Sequence, residues 1–157
     1  MRVALIILTF FLFFFLGLYE AYSSEDNDEC YDIKVDLFIC MNEVYLQLGS
    51  NIGDRLDNLD QSIKIITERI GNVLEKSSVY ESTPWGVENQ RNFLNQVIFV
   101  KSNFDPYTIL DLVLQIEKDM GRIRIEKWGE RIIDIDILFI DDLIIESENL
   151  CIPHEFI

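Results

Sequence analysis

Two stretches of this sequence carry apolar residues at three- and four-residue steps, and runs typical of β-strands stand before, between and after them. The first stretch stops at Gly71, and its apolar residues share one helical face: Leu56, Leu59, Ile63, Ile66 and Ile70. The second opens with Asp105-Pro106, an N-cap acceptor and a proline whose missing N–H does no harm there. It stops at Gly121 after a second such face: Ile109, Leu112, Val113, Ile116 and Met120. The sequence therefore predicts helices over residues 54–70 and 105–121.

The intervening runs are rich in β-branched and aromatic residues and are bounded by Pro, Gly and Asn, which predicts strands over 44–48, 73–81, 93–101 and 132–140. We expect residues 143–145 to pair with the last strand through a turn at Asp141-Asp142. The order strand, helix, strand, strand, helix, strand predicts an α+β fold of the ferredoxin-like βαββαβ type. In this fold helices cover one face of an antiparallel sheet.

The first forty residues have a different character. Met1-Arg2 precede an apolar run from Val3 to Leu18 that only Thr9 and Gly17 interrupt, and an acidic segment follows. This layout is typical of a secretory signal or a short membrane anchor. Met41 stands directly before the first strand, so translation starting there is the competing hypothesis. We divide the chain into a leader, 1–40, and a domain, 41–157.

Charge and cysteine content exclude several classes of function. The formal net charge of −15 opposes non-specific binding to nucleic acid, which selects for Lys and Arg. Cys30, Cys40 and Cys151 show no metal-binding spacing and are odd in number, so we expect buried or incidental thiols rather than disulfides or zinc. An acidic protein that binds phosphates must gather its few cations in one place or recruit a divalent metal.

Asp134 and Asp136 are the first candidates for such a metal site. Residues two apart on a strand share a face, so these carboxylates project together while Ile133, Ile135 and Ile137 enter the core. Neighbouring carboxylates repel each other and become favourable when they share divalent cations such as Mg²⁺ bound to a polyphosphate.

The segment just before this strand gathers cations. Arg122, Arg124, Lys127 and Arg131 lie within ten residues, and guanidinium groups match phosphate oxygens and can stabilise charge during phosphoryl transfer. Trp128 lies among them, between glycines, where it could stack on a flat heterocycle. The alternative is an exposed strand face on which the aspartates and arginines form surface salt bridges.

Six motifs, in order, now carry a resemblance: Leu48-Gly-Ser-Asn-Ile-Gly-Asp54, Tyr80-Glu-Ser-Thr-Pro-Trp-Gly86, Phe93-Leu-Asn95, Glu117 to Arg124, Trp128-Gly-Glu-Arg131 with Asp134-Ile-Asp136, and Pro153-His154. Together they resemble the hydroxymethyldihydropterin pyrophosphokinases, over nearly all of the chain after Met41. The resemblance implies transfer of the β,γ-pyrophosphoryl group of ATP to the hydroxymethyl oxygen of 6-hydroxymethyl-7,8-dihydropterin, releasing AMP, in tetrahydrofolate biosynthesis.

The resemblance also implies roles for individual residues. Asp134 and Asp136 would hold two Mg²⁺ ions on the triphosphate, and Arg122 and Arg131 would neutralise developing charge. The nucleotide would be surrounded by Glu117, Arg124, Trp128, Ile137 and His154. The pterin pocket would consist of Ser82, Thr83, Trp85, Phe93, Asn95 and Trp128.

Several of these residues also have a purely structural interpretation. Phe93 on a strand is commonly a core residue, Glu117 on a helix is commonly solvated, and His154 beside Pro153 can be a turn residue. Gly49-Ser50-Asn51 is interpreted as a turn that shapes the start of the first helix. Asn95 is harder to explain structurally, because a buried amide needs partners.

The chain also departs from the family pattern. Asn149 and Cys151 stand where many relatives have a basic residue and a hydroxyl, and Glu155 follows the histidine where Pro or Tyr is common. The family continues for a few dozen residues beyond the position of Ile157, with a further arginine and a second ring over the pterin. The resemblance therefore predicts a shortened chain with weakened nucleotide binding and impaired activity.

Two rival functions remain. A palm-like nucleotidyl transferase or cyclase would share the fold and the paired aspartates but would need a distant third carboxylate. An inactive nucleotide- or pterin-binding module, tethered through the leader, is the second. We expect a monomer that binds ATP and the pterin, does not bind nucleic acid, and works in the cytoplasm. Membrane anchoring or export through residues 1–22 is the alternative.

Overall fold

The computed structural model describes residues 41–84, 90–122, 129–155 and 157. The proposed leader and the candidate site residues Trp85, Arg124 and Trp128 lie outside these ranges. In the part that is described, no helix combines the length and the apolar character needed to cross a membrane.

The described chain forms one strand before the first helix and three strands after each of the two helices. In chain order the elements are β1 (Asn42–Ser50), α1 (Arg55–Arg69), β2 (Asn72–Lys76), β3 (Tyr80–Ser82), β4 (Phe93–Ser102), α2 (Pro106–Asp119), β5 (Asp134–Ile140), β6 (Ile145–Glu146) and β7 (Cys151–Ile152).

The main sheet is antiparallel and has the strand order β2-β4-β1-β5, with β3 pairing with the start of β4. β1 is thus a central strand whose two neighbours come from distant parts of the chain. This is the strand order of the ferredoxin-like βαββαβ fold, and the predicted fold class is confirmed.

The core lies between this sheet and the two helices. α1 packs against β1, β2 and β4, α2 packs against β5, and the helices contact each other. Alternate residues of β1 (Val44, Leu46 and Leu48) are fully buried on the helix side. The interdigitated apolar side chains stabilise the fold by about 25 cal/mol for each Å² removed from water.

The predicted helix faces are confirmed with one exception. Leu59, Ile63, Ile66 and Ile70 are buried under α1, but Leu56 is 54% exposed. Leu56 lies in the first turn, beside a shallow surface depression that Arg91 and Leu94 also line. The prediction that Leu56 joins the core is therefore wrong, because the first turn is not covered by the sheet.

The ends of the helices follow from local chemistry. The side chain of Asp54 caps α1 by accepting from the N–H of Asp57, and Asp105 caps α2 in the same way. Gly71 ends the first helical segment because only a residue without a side chain fits there. A Cβ at this position would stand 2.1 Å from the carbonyl oxygen of Lys101.

The single strand predicted over 73–81 is two strands, β2 and β3. Ser77 separates them, because its hydroxyl accepts from the N–H of Val97 while its own N–H donates to the Val97 carbonyl. A side chain thus takes the place of a backbone partner, and the regular ladder along β4 is interrupted.

The pairing predicted for residues 143–145 is wrong. A turn at Asp141 does follow β5, but β6 pairs with β7 in a separate two-stranded sheet. The outer edge of β5 is already occupied. There the N–H of Ile135 donates to Glu117, and the Leu138 carbonyl accepts from the N–H of His154.

Candidate functional site

The carboxylate predicted to bind metal and the amide predicted to bind the pterin come together across β1. Gly49 pairs with Asp134 of β5 on one side and with Asn95 of β4 on the other. A Cβ at position 49 would lie 3.3 Å from Asn95 Oδ1 and 3.8 Å from Asp134 Cβ. The missing side chain therefore leaves the space between the two residues open.

Asp134 lies between two arginines. The Arg122 guanidinium is 2.5 Å from Asp134 Oδ1, and Arg131 forms an ion pair with Asp134 Oδ2. The carboxylate is mostly buried and the arginines are only partly accessible, so these pairs are screened less than surface pairs. The interpretation of these residues as surface salt bridges is right about the ion pairs but wrong about their exposure, because the carboxylate that both arginines contact is only 15% accessible.

Glu117 lies beneath this cluster and is 3% exposed. Its Oε1 accepts from the Ile135 N–H at 2.9 Å and also pairs with Arg122. The solvated interpretation of Glu117 is therefore wrong. A buried carboxylate is tolerated here because a cation and a backbone donor from another element compensate the loss of water.

Asp136 projects on the same side of β5 as Asp134, as the two-residue spacing predicts, and Ile133, Ile135 and Ile137 are buried. Burial, together with the nearby charges of Asp134 and Glu117, raises the pKa of Asp136 to about 7, although Arg131 and Arg122 act in the opposite direction. Its side chain is still 39% accessible, so a cation can reach it.

His154 lies next to Asp136, with Nε2 3.9 Å from Asp136 Oδ1. Burial lowers the pKa of His154, so its ring is largely neutral at neutral pH. The pair is therefore not an ion pair, and the ring nitrogens can serve as donor or acceptor to a ligand.

A cavity of about 710 Å³ opens beside these residues, within the size range of small-molecule sites. The predicted nucleotide and metal residues that line it are Glu117, Arg122, Arg131, Asp134, Asp136, Ile137 and His154. Of the residues predicted for the pterin, the structure describes Ser82, Thr83, Phe93 and Asn95, and none of these four lines this cavity.

The pterin side of the site is built on the β3–β4 hairpin. Asn95 Nδ2 donates to Ser82 Oγ at 2.8 Å, and Ser82 pairs with Phe93. Phe93 is half-buried and reaches the space above Gly49, whereas Thr83 is exposed. Asn95 thus has the partner that its burial demands, and its carbonyl oxygen remains near Gly49.

Several lining residues were not predicted from the sequence. Tyr107, Leu110 and Leu114 of α2 border the same cavity at positions one helical turn or so apart, and Tyr107 is 51% exposed. Large apolar side chains on the outer face of an otherwise amphipathic helix are the signal that would have identified them. Cys151 also lines the cavity and is a free, exposed thiol, so of the two expected alternatives it is not the buried one.

A metal at this site would need ligands beyond the protein. Among the residues that the structure describes, no group of three or more His, Cys, Asp or Glu side chains is arranged to hold a metal. Asp134 and Asp136 supply two hard oxygen donors, and Mg²⁺ commonly takes its other ligands from water and substrate phosphates. The donor set therefore fits a cation that arrives with a polyphosphate.

Comparison with known proteins decides the family. The model of the 7,8-dihydro-6-hydroxymethylpterin-pyrophosphokinase (HPPK) family matches residues 45–157. The chain belongs to the HPPK family. It is therefore a member of an enzyme family of diphosphotransferases, as the six motifs predict.

Individual relatives agree with this assignment. The chain is 41% identical to the 2-amino-4-hydroxy-6-hydroxymethyldihydropteridine pyrophosphokinase of Bacillus subtilis (strain 168), with 72% of this chain and 68% of the relative covered. It is 45% identical to the enzyme of the same name from Aquifex aeolicus (strain VF5), with 74% and 72% covered. The mitochondrial folate synthesis bifunctional protein of Pisum sativum is 38% identical, and the HPPK chain spans only 22% of it.

Solved structures support the fold. A triple mutant of Plasmodium falciparum HPPK-DHPS matches with a TM-score of 0.55 and 21% identity, over 70% of this chain and 29% of that one. At this level of identity the match concerns the fold alone, which agrees with the ferredoxin-like strand order of the HPPK chain.

Proposed function

We propose that this HPPK chain transfers the pyrophosphoryl group of ATP to the hydroxymethyl oxygen of 6-hydroxymethyl-7,8-dihydropterin and releases AMP, a step of folate synthesis. The observation that carries the proposal is the register in which Gly49 pairs with Asp134 on one side and Asn95 on the other, because it brings the proposed metal ligand and the proposed pterin contact to either side of one residue. The family membership supplies the identity of the two substrates.

Asp134 and Asp136 are the residues that would hold Mg²⁺, and we propose two ions on the triphosphate. The raised pKa of Asp136 is consistent with this assignment, because burial and the neighbouring carboxylates of Asp134 and Glu117 disfavour its negative charge, which a bound cation would compensate. Bound Mg²⁺ supplies charge neutralisation on the phosphate oxygens and orients the chain of phosphates for in-line attack.

Arg122 and Arg131 are proposed to stabilise charge on the transferred group. Both guanidinium groups border the cavity, and each forms an ion pair with a different oxygen of Asp134. They therefore lie where the polyphosphate would bind. Their forked donors match phosphate oxygens that gain charge as the bond between the β-phosphorus and the bridging oxygen breaks.

Glu117 is assigned a different role from the one that the resemblance implies. Its carboxylate is buried and engaged with Arg122 and the Ile135 N–H, so we propose that it orients Arg122 and β5 rather than contacting the nucleotide. Ile137 and His154 remain proposed nucleotide contacts, and both line the cavity. Arg124 and Trp128 keep the nucleotide roles predicted from the sequence.

The pterin is proposed to bind over Gly49, between Phe93 and the Ser82–Asn95 pair. Phe93 offers a ring face for stacking, and the Asn95 carbonyl oxygen can accept from the pterin ring edge while its amide is held by Ser82. Thr83, Trp85 and Trp128 complete the proposed pocket. This placement directs the hydroxymethyl group toward Asp134 and hence toward the polyphosphate.

Product analysis tests this proposal. The full chain, incubated with ATP, Mg²⁺ and the reduced pterin, should release AMP and the pterin diphosphate, which chromatography separates from ADP. Asp136→Asn should abolish AMP release without unfolding the chain, whereas Asp60→Asn, on the exposed face of α1, should not. ADP as the nucleotide product would contradict the pyrophosphoryl transfer.

We also propose that the protein acts as a monomer in the cytoplasm, where ATP is supplied. Sedimentation of the purified chain tests the oligomeric state. The N-terminal sequence of the protein from its native cell tests the compartment, because a start at Met41 would remove the signal-like segment.

A further inference from the structure

Asn51 directly follows β1 and connects two segments that flank the site. It is fully buried. Its backbone N–H donates to the Arg131 carbonyl at 3.0 Å, and its side-chain Oδ1 accepts from the Arg131 N–H at 2.7 Å. The two bonds fix the Arg131 backbone from both sides.

The same side chain also holds the segment before β4. Asn51 Nδ2 donates to Gln90 Oε1 at 3.1 Å and to the Arg91 carbonyl at 3.3 Å. Because the Arg131 N–H can only donate and the Arg91 carbonyl can only accept, the orientation of the amide is fixed by its partners. Both amide hydrogens and the carbonyl oxygen of Asn51 are thus in use.

These two segments lead to the two halves of the proposed site. Arg131 pairs with Asp134, beside the cavity proposed for the nucleotide. Arg91 stands two residues before Phe93, which begins the β4 wall of the proposed pterin pocket. Asn51 is fully buried and does not line the cavity, so its effect on the nucleotide half must act through its neighbours.

We propose that Asn51 is a positioning residue that sets the separation between the Arg131 segment and the Gln90–Arg91 segment, and so aligns the polyphosphate with the pterin hydroxyl. The inference rests on the proposed function and deepens it. It assigns the Gly49-Ser50-Asn51 motif a role beyond that of a turn before α1.

Two substitutions distinguish the bond of the Asn51 side chain to Arg131 from its bonds to Gln90 and Arg91. Asn51→Ala removes both side-chain attachments, and kcat should fall about 100-fold, since small misplacements of reacting groups cost that much. Asn51→Asp keeps an oxygen for the Arg131 N–H but places the second oxygen against Gln90 Oε1 and the Arg91 carbonyl. It should raise KM for the pterin about tenfold and change KM for ATP little.

Asn58→Ala is the matched control. Asn58 is also an asparagine bound to this motif, where its Nδ2 donates to Ser50 Oγ at 3.0 Å and to the Ile52 carbonyl at 2.9 Å. In the described part of the chain, the Asn58 side chain makes no hydrogen bond to either flanking segment. Asn58→Ala should therefore lower Tm while leaving kcat and both KM values within about twofold.

Amide hydrogen exchange supplies a readout that does not need turnover. The Arg131 N–H should be protected in the wild-type chain, in Asn51→Asp and in Asn58→Ala, and should exchange faster in Asn51→Ala while the amides of β1 stay protected. Wild-type kinetics and unchanged Arg131 exchange in Asn51→Ala would overturn the inference. So would an equal loss of kcat in Asn58→Ala. If the wild-type chain releases no AMP, the proposed function fails, and that result is distinct from either of these.

Discussion

Asp134 and Asn95 flank the same residue, Gly49, from strands on opposite sides of β1. They are 39 positions apart in sequence, yet the sheet brings a predicted metal ligand and a predicted pterin contact into one row. Glycine is otherwise unfavourable in a central strand, and it is explained here by the space that it leaves between the side chains of Asp134 and Asn95.

Gly49→Ala should narrow the space between the side chains of Asp134 and Asn95. The new Cβ would lie 3.3 Å from Asn95 Oδ1 and 3.6 Å from Phe93, so the Asn95–Ser82 hydrogen bond must shift to make room. We expect KM for the pterin to rise about tenfold, because one misplaced methyl group in a fitted pocket costs that much. Affinity for Mg²⁺-bound nucleotide, measured by calorimetry, should change little.

Gly53→Ala is the control for the Gly49 substitution. Gly53 has a φ of +64°, but no atom lies within 4 Å of an added Cβ. This variant should lose about 1 kcal/mol of stability through backbone strain and keep its pterin KM. Equal pterin KM values in Gly49→Ala and the wild type would contradict the proposal that the pterin binds over Gly49.

The sequence predicted the positions of the helices and strands better than it predicted which strands pair with each other. Helical periodicity and the Asp54 and Asp105 caps are local, so both helices were found to within two residues. The pairing of β6 with β7 was missed because each of these strands has only two residues. The pairing that was predicted instead, with the edge of β5, does not form because Glu117 and His154 already bond to that edge. Such competition arises between distant segments and leaves no local pattern.

The site shows the same limit. Asp134 and Asp136 could be proposed as metal ligands from the sequence because their two-residue spacing on a strand places both carboxylates on one face. Apart from the nucleotide role that the resemblance implies for Glu117, the residues themselves indicated only a solvated Glu117 and a turn at Asn51, because a polar residue is assigned to the surface unless its partners are known. Their partners, Ile135 and Arg131, are 18 and 80 positions away.

Glu117→Ala should be strongly destabilising. It leaves the Ile135 N–H without its acceptor and Arg122 without one of its two carboxylates, in a place where water does not compensate. We expect a loss of about 3–5 kcal/mol in the free energy of unfolding, measured with urea. Glu117→Gln should lose less, because the amide oxygen can still accept from Ile135.

The surface pair between Arg69 and Asp119 is the comparison for this substitution. Asp119 stands two positions after Glu117 on the same helix, and both partners of its ion pair are well exposed. Asp119→Ala should barely change the urea midpoint, because exposed ion pairs contribute little to stability. Similar losses for Glu117→Ala and Asp119→Ala would refute the buried-pair account.

The contribution of Asp136 to the stability of the Mg²⁺-free protein should fall between about pH 4 and pH 7, whereas His154, whose pKa burial lowers, acts in the opposite direction. The pKa of Asp136 is raised to about 7 in the folded chain from an ordinary value of 3.8, so the folded state holds this proton more tightly than the unfolded state. The resulting stabilisation is present at low pH and is lost as pH rises through the folded pKa. The difference in the free energy of unfolding between the wild type and Asp136→Asn, measured with urea across this range, should show the decline, because His154 contributes to both proteins.

Mg²⁺ should reverse this dependence, because the cation and the proton compete for the same carboxylate. The stabilisation produced by a fixed Mg²⁺ concentration should therefore grow as pH rises toward and past 7. Asp60→Asn should show the wild-type response in both conditions. A Mg²⁺ effect that is equal at pH 5 and pH 8 would contradict a role for Asp136 as a ligand.

Arg131→Lys should show whether the positive charge of Arg131 is enough for catalysis or whether the forked hydrogen-bond geometry of its guanidinium group is also needed. Lysine keeps the positive charge beside Asp134 but cannot offer forked donors to a phosphate group. We expect kcat to fall about 100-fold, while Tm and the KM for the pterin change little, because the substitution acts on charge that develops only during transfer. Arg69→Lys, on the surface pair with Asp119, should leave kcat unchanged. A fall in ATP affinity with unchanged kcat would instead place Arg131 in ground-state binding of the nucleotide, and the stabilisation of the transferred group would then rest on Arg122.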